Sequence, residues 1–182
     1  MNKLNFKEVF IPTIALFLIC AITTALLAIT NDITSPMIAD IQKKNQDEAC
    51  RTVLPSASSF TESTVEYNGN TYTFYLGADS NNTVVGCVII TSAKGYGGDI
   101  SVMTGLSLDG AVTGVQILSM NETPGLGANA SKESFLSQYN GSSEVMSVTK
   151  DGGSIDSLTG ATITSRAVTQ AVNEAIEVHN SL

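Results

Sequence analysis

The sequence predicts an α+β protein, in which one N-terminal transmembrane helix is followed by a domain with a mainly antiparallel twisted sheet packed by helices. Three observations carry this reading. Residues 9–30 form an uncharged, largely apolar run; two turn dipeptides, Asn68-Gly69 and Asp109-Gly110, punctuate β-branched segments; and the C-terminal segment carries one apolar stripe at helical spacing. A chain of 182 residues has room for one globular domain and an appendage.

The apolar run reads VFIPTIALFLICAITTALLAIT. At ~1.5 Å per residue it is long enough to cross a ~30 Å hydrocarbon core. Pro12 is expected in or near the first helical turn, where a missing N–H costs little. Lys3 and Lys7 precede the span, whereas Asp32, Asp40, Asp47 and Glu48 follow it, with Lys43, Lys44 and Arg51 weakening the contrast. The positive-inside rule then places residues 1–8 in the cytoplasm and the chain from about residue 31 on the outer side. The run exceeds the apolar region of a cleavable signal peptide, and Leu26-Leu27-Ala28 makes a poor cleavage site, which favours an anchor. Cys20 follows the bulky Phe17-Leu18-Ile19, unlike a lipoprotein cysteine, and reads as a membrane-buried thiol.

Beyond the span, Ile33, Met37, Ile38 and Ile41 recur at helical spacing and predict an amphipathic helix with Pro36 in its first turn. Residues 55–64 are turn-rich and predict a linker, so that residues 31–64 join the anchor to a domain over 65–182. Asn68-Gly69 predicts a hairpin leading into a strand over 71–76, and residues 84–91 (VVGCVIIT) suit a buried strand. Asp109-Gly110 predicts a second hairpin between strands at 100–108 and 112–118. Residues 131–139 read as a helix capped by Ser131, with Glu133 near the first turn. Finally, Ile163, Ala167, Val168, Ala171, Val172, Ala175 and Ile176 form the stripe of a helix that should lie across the sheet.

Charge and residue usage narrow the function. With 17 acidic against 9 basic residues, nucleic-acid binding is disfavoured, because phosphate contacts need clustered Lys and Arg. Glu8, Lys3 and Lys7 are the charges ahead of Asp32, so the outer part is more acidic still. One histidine, His179, reads as an exposed residue of a last helical turn, and no His-based zinc site can be assembled. Cys20, Cys50 and Cys87 contain no C-x-x-C spacing, so no iron–sulfur or structural zinc site is expected. Cys50 and Cys87 are a possible disulfide in an oxidising compartment, although the apolar run around Cys87 favours a buried free thiol.

The stretch Asp156-Ser157-Leu158-Thr159-Gly160-Ala161-Thr162-Ile163-Thr164-Ser165 precedes or opens the last helix. A glycine that permits close backbone approach, followed by hydroxyls at a helix N-terminus, suits a phosphate. Plain capping by Ser or Thr is the competing reading. Thr159-Gly160-Ala161-Thr162 resembles the [ST]-G-A-T flavinylation motif of the bacterial FMN-binding domain, whose terminal Thr is joined to FMN through a phosphoester. Glu122-Thr123-Pro124-Gly125-Leu126-Gly127 resembles the ETPGLG loop of that family, and residues 95–100 (GYGGDI) resemble its earlier glycine-rich segment. With the anchor, these three ordered motifs are similar to the G subunit of Rnf-type ion-translocating electron transport complexes. The related C subunit of the Na⁺-translocating NADH:quinone reductase shares them.

The resemblance implies an FMN-binding fold and an electron-carrier subunit, with FMN attached covalently at Thr162. It would sit on the outer face of the cytoplasmic membrane and relay electrons between partner subunits of a ferredoxin:NAD⁺ oxidoreductase, after loading by a flavin transferase. Helix N-terminal amides and the hydroxyls of Thr159 and Thr164 are then expected at the phosphate. Asp156 is expected in transferase recognition or an Asx turn. The Glu122 to Gly127 loop, with Pro124 stiffening it and Leu126 offering an apolar face, is expected near the flavin ring, together with Tyr96 and Gly97. Tyr96 reads equally as an exposed turn aromatic. A membrane-tethered flavin reductase needs an acid or base beside the flavin, and none stands out; in a purely structural subunit the Thr162 turn would be only a cap.

Overall fold

The computed structural model describes residues 6–182. Lys3 lies outside the described residues, as do the side chains of Lys7, Ile33, Met37, Ile38 and Ile41, on which the charge and amphipathicity expectations partly rest. The chain forms helix α1 (Phe6–Val53), strands β1 (Ser59–Tyr67), β2 (Asn70–Ala78), β3 (Val84–Lys94), β4 (Asp99–Ser107) and β5 (Val112–Ser119), the short helix α2 (Glu133–Leu136) and the long helix α3 (Thr162–His179). Two compact units divide it, Met1–Asn45 and Gln46–Leu182.

In the first unit, Phe10–Asn31 is apolar and long enough to cross a membrane, and its large side chains, including Ile11, Leu16, Phe17 and Leu27, are exposed. Thr23 and Thr30 donate their hydroxyls to the carbonyls of Ile19 and Leu26 one turn back, which removes free polar groups from the helix surface. The helix starts at Phe6, so Pro12 falls in its second turn, and Pro36 lies well inside α1. A separate amphipathic helix with Pro36 at its start is therefore not formed. Each proline removes one backbone donor without ending the helix.

The second unit is built on a five-stranded antiparallel meander in the order β1-β2-β3-β4-β5. The Asn68-Gly69 turn has φ of 50° and 80°, the paired positive values that let a two-residue loop follow the twist of its strands. From Tyr67↔Asn70 the pairing runs without a break to Ser59↔Ala78. Residues 59–64, expected as linker, are thus strand: their Ser and Thr residues are mostly solvent-facing on an edge strand, and Thr tolerates extended backbone well. The hairpin between β4 and β5 closes over 108–111, with Gly110 at φ 79°.

Alternation along the strands makes two cores. Cys87 and Ile89 of β3 and Ile100, Val102 and Leu106 of β4 join the stripe of α3, in which Ala167, Val168, Ala171, Val172, Ala175 and Ile176 are all buried. Ile163 departs from that stripe: it is 50% exposed, whereas Thr164 and Ser165 beside it are buried. On the other face Cys50, Val53 and Leu54 pack with Tyr75, Val88 and Met103. Here glycines pave the contact. The paired Gly105 and Gly114 lie beneath Val53, where a Cβ on Gly105 would meet the Val53 carbonyl oxygen at 2.2 Å. Cys50 and Cys87 therefore sit on opposite faces of the sheet as free thiols, not as a disulfide.

Between β5 and α3 the chain runs through the 3₁₀ turns Gly127–Ser131, Ser137–Tyr139 and Thr149–Asp151 and the single turn of α2. The helix expected over 131–139 forms one residue late: extended Lys132 (φ −75°, ψ 140°) takes the cap position, α2 and the 3₁₀ turn Ser137–Tyr139 follow it directly, and Ser131 donates back to Ala128 instead of capping. His179 is half-buried, with Nδ1 3.4 Å from Cys87 Sγ.

Candidate functional site

Three loops meet at the N-terminal end of α3. The first is the turn between β3 and β4, closed by a hydrogen bond from the Gly95 N–H to the Gly98 carbonyl at 2.8 Å. The second follows β5: Gly125 takes φ 78°, the Leu126 and Ala128 amides both donate to the Thr123 carbonyl, and Asn129 Nδ2 donates to the Gly125 carbonyl at 2.8 Å. The third is the approach to α3, where Gly160 at φ 76° reverses the chain and the Ala161 N–H donates to the Leu158 carbonyl.

One side chain ties them together. Glu122 is 9% exposed, and its Oε1 accepts the backbone N–H groups of Tyr96 at 2.9 Å and Gly97 at 3.0 Å. Its Oε2 accepts the Thr164 hydroxyl at 2.6 Å. A buried carboxylate needs such donors to offset its lost hydration. The same carboxylate explains two glycines. A Cβ on Gly95 would lie 2.4 Å from Oε1, and one on Gly127 would lie 2.5 Å from Oε2 and 2.7 Å from Thr164 Oγ1. Gly97 is confined differently, since its Cβ would meet the Asn121 carbonyl oxygen at 1.9 Å. At Gly95, Gly97 and Gly127 the close approach is therefore to the protein's own groups, whereas Gly125 faces open space.

Helix α3 begins at Thr162, with Ala161 as its N-cap and no side-chain cap. Simple Ser or Thr capping is thus not what the hydroxyls do. Ser165, fully buried, accepts the Leu158 N–H and donates to the Ala161 carbonyl, both at 3.0 Å, which pins the turn 158–161 to the helix. The first-turn amides of Thr162, Ile163 and Thr164 have no intrahelical acceptor.

A cavity of about 480 Å³ opens beside this turn, lined by Tyr96, Glu122, Thr123, Leu126, Gly127 and residues 160–164. Its rim is apolar: Tyr96 is 72% exposed, Leu126 44% and Ile163 50%, and Leu126 packs close to Gly160. The expected residues divide accordingly. Gly97 supports Glu122 from behind the lining; Pro124 and Gly125 are exposed in the second loop; Ser157 is half-buried; and Leu158 packs against the main core. Thr159 is exposed, and Thr164, expected at a phosphate, has its hydroxyl hydrogen committed to Glu122. Asp156 is held by its backbone, which donates to Gln138 Oε1 at 2.6 Å and accepts from Gln138 Nε2 at 3.4 Å. Its carboxylate forms no Asx turn.

Sequence reading missed Lys150. Its Nζ donates to Thr162 Oγ1 at 2.8 Å from the 3₁₀ turn Thr149–Asp151. In the same turn Asp151 receives Arg166 through a two-pronged ion pair at 2.6 and 2.7 Å, which holds the Asp151 carboxyl below its ordinary range. Twelve residues separate Lys150 from Thr162, and no periodicity links them. Among the described residues no cluster of three or more His, Cys, Asp or Glu side chains is arranged for a metal.

Comparison with known proteins adds to this geometry. A family model described as the FMN-binding domain matches residues 95–177, which span all three loops. The chain is 36% identical to the G subunit of the Na(+)-translocating ferredoxin:NAD(+) oxidoreductase complex of Acetobacterium woodii, over 99% of this chain and 96% of that protein. It is 38% identical to the G subunit of the proton-translocating ferredoxin:NAD(+) oxidoreductase complex of Clostridium ljungdahlii, over 94% and 91%. It is 36% identical to the G subunit of the ion-translocating oxidoreductase complex of Methanosarcina acetivorans, over 94% of each chain. Among solved structures, the C subunit of the Na(+)-translocating NADH-quinone reductase from Parabacteroides distasonis has the same fold, with a TM-score of 0.56 at 18% identity over 76% of this chain and 94% of that one. Shewanella oneidensis NqrC gives 0.51 at 21% identity over 69% and 68%.

Proposed function

The chain belongs to the G-subunit family of ion-translocating oxidoreductase complexes, and on that premise we propose that it is the FMN-bearing electron carrier of a membrane-bound, Rnf-type ferredoxin:NAD⁺ oxidoreductase. Its FMN is held covalently, through a phosphoester to Thr162. The observation that carries the attachment reading is the position of Thr162: it opens an uncapped helix, lines the cavity and has an ammonium group on its hydroxyl oxygen.

The residues present fit the group. About 480 Å³ is within the range of cavities that hold a small cofactor. Three first-turn amides with no intrahelical acceptor and no side-chain cap, together with the helix dipole, favour a phosphate at Thr162. Leu126, Ile163 and Tyr96 offer apolar surface for a planar ring. When bound, FMN supplies the redox chemistry, and the protein positions and tunes it. Glu122 has the task of holding the three loops in register, and Ser165 fixes the turn that presents Thr162. A covalent bond keeps the cofactor from being lost at a site this open to solvent.

The exposed apolar helix Phe10–Asn31 supports a single membrane span. The charge asymmetry around it supports a cytoplasmic N-terminus and a domain on the outer face. Partner subunits of the complex supply and remove electrons, and a flavin transferase is required for maturation.

The test is co-expression of the full chain with a flavin transferase, denaturation, gel separation and imaging of flavin fluorescence. Fluorescence is expected at the mass of the chain and is expected to vanish in Thr162→Ala. An unlabelled wild-type chain, or a fully labelled Thr162→Ala, overturns the attachment reading. Protease digestion of intact spheroplasts checks sidedness: the domain should be cut without lysis.

A further inference from the structure

A cation reaches the site from outside the loops that line the cavity. The Lys150 ammonium has only donors, so Thr162 Oγ1 is the acceptor of their 2.8 Å hydrogen bond, and one lone pair of that oxygen is already engaged. Backbone bonds hold the turn that carries Lys150. The Thr149 N–H donates to the Ile155 carbonyl at 2.7 Å, and the Asp151 N–H to the Val148 carbonyl at 2.8 Å. Gly153 lets the following loop close, since a Cβ there would meet the Ser147 carbonyl oxygen at 2.0 Å. The Asp151–Arg166 fork ties the same turn to α3 one helical turn beyond Thr162. That fork neutralises Arg166, whereas Lys150 is in no ion pair among the described residues. The uncompensated positive charge at Thr162 is therefore that of Lys150, in a chain of net charge −8.

We infer that Lys150 is a catalytic residue of flavin attachment, acting on the Thr162 oxygen during transfer and serving afterwards as the counter-ion of the phosphoester. The inference rests on the reading of Thr162 as the attachment residue. The step requires an activated donor, a flavin phosphoanhydride. The Thr162 Oγ1–P bond forms while the bond from that phosphorus to the leaving phosphate breaks. The leaving group departs with the electron pair, the hydroxyl proton passes to a base of the transferring enzyme, and nothing is oxidised or reduced. Lys150 fixes the oxygen in one orientation and favours its loss of a proton, because an ammonium at hydrogen-bond distance stabilises developing negative charge. The product carries one negative charge beside Thr162, which the same ammonium offsets. The side chain is exposed, so its replacement leaves the core untouched.

The experiment uses the full-length apo chain in detergent, a flavin transferase and a flavin phosphoanhydride donor, with labelling followed by in-gel fluorescence and intact mass. Lys150→Met and Lys150→Gln are expected to lower kcat for labelling by about tenfold or more, with KM for the apo chain little changed and the thermal midpoint unmoved. Lys150→Arg is expected to restore most of the rate, because it restores the charge. Added salt should slow the wild type more than Lys150→Met. Wild-type labelling of both neutral variants, an effect confined to KM, or Lys150→Arg as slow as Lys150→Met overturns the role of Lys150. If Thr162→Ala is itself labelled, the attachment reading fails instead. If Thr162→Ala is unlabelled while the neutral variants load normally, only the Lys150 inference fails.

Discussion

The Glu122 carboxylate accepts the Thr164 hydroxyl at 2.6 Å, and both side chains are buried. Through this bond, and two more to the amides of Tyr96 and Gly97, a single acidic residue joins loops separated by 26 and 42 positions. Glu122→Ala strands three donors. We expect a loss of about 3 kcal/mol in denaturant unfolding, together with poor flavin loading. Glu122→Gln keeps an oxygen for the two amides and should lose less. Equal losses for the two variants contradict this account.

Ser165 serves the neighbouring turn. Ser165→Ala leaves the Leu158 N–H without its partner, a cost of about 1–3 kcal/mol, and frees the segment that presents Thr162. Reduced flavin loading at a temperature where the protein stays folded is the expected result. Ser165→Ala loaded like the wild type would show that this turn needs no pin.

Two glycines separate conformational from steric demands. Gly69 has φ 80° and open space around its missing Cβ, so Gly69→Ala costs only the left-handed backbone penalty, about 1–2 kcal/mol. Gly105→Ala drives a methyl against the Val53 carbonyl and must displace the end of α1 from the sheet. It should cost at least as much as typical overpacking, about 1–3 kcal/mol, and should expose Cys50 to thiol reagents. Continued protection of Cys50 in Gly105→Ala contradicts the packing described for that face.

The two buried thiols provide a pH test. Burial pushes Cys50, with a contribution from Asp47, and Cys87 from 9.0 up to about 11. Both values are raised in the folded chain, so unfolding is the state that releases protons first. Their contribution to stability is fully present below pH 9.0 and is lost as pH rises toward about 11. Unfolding midpoints should therefore fall across that window, and less so in a Cys50→Ala, Cys87→Ala double variant. At pH 8 neither thiol should react with a maleimide until the chain unfolds.

The elements legible in the sequence were those whose signal lies in consecutive residues. The apolar run, the two Asx-Gly turns and the stripe of α3 are periodic or punctuated, and the backbone follows them. Residues 59–64 misled because Ser and Thr suit both linkers and edge strands; only pairing with β2 distinguishes the two. Ser131 misled because its hydroxyl found the Ala128 carbonyl first.

The candidate site divides along the same line. Motif order alone located Thr162, the Glu122 loop and the glycine-rich turn, since each is a short contiguous string. Their purpose was not legible. Gly95 and Gly127 make room for a carboxylate, and Gly97 for the Asn121 carbonyl; Thr164 serves Glu122; and Lys150 reaches Thr162 from a turn with no sequence pattern of its own. Local pattern specifies which backbone a segment adopts, because propensity and turn chemistry act over a few residues. Which donor meets which acceptor across loops, and where no Cβ fits, arises only when folding removes water from buried polar groups and makes each of them find a partner.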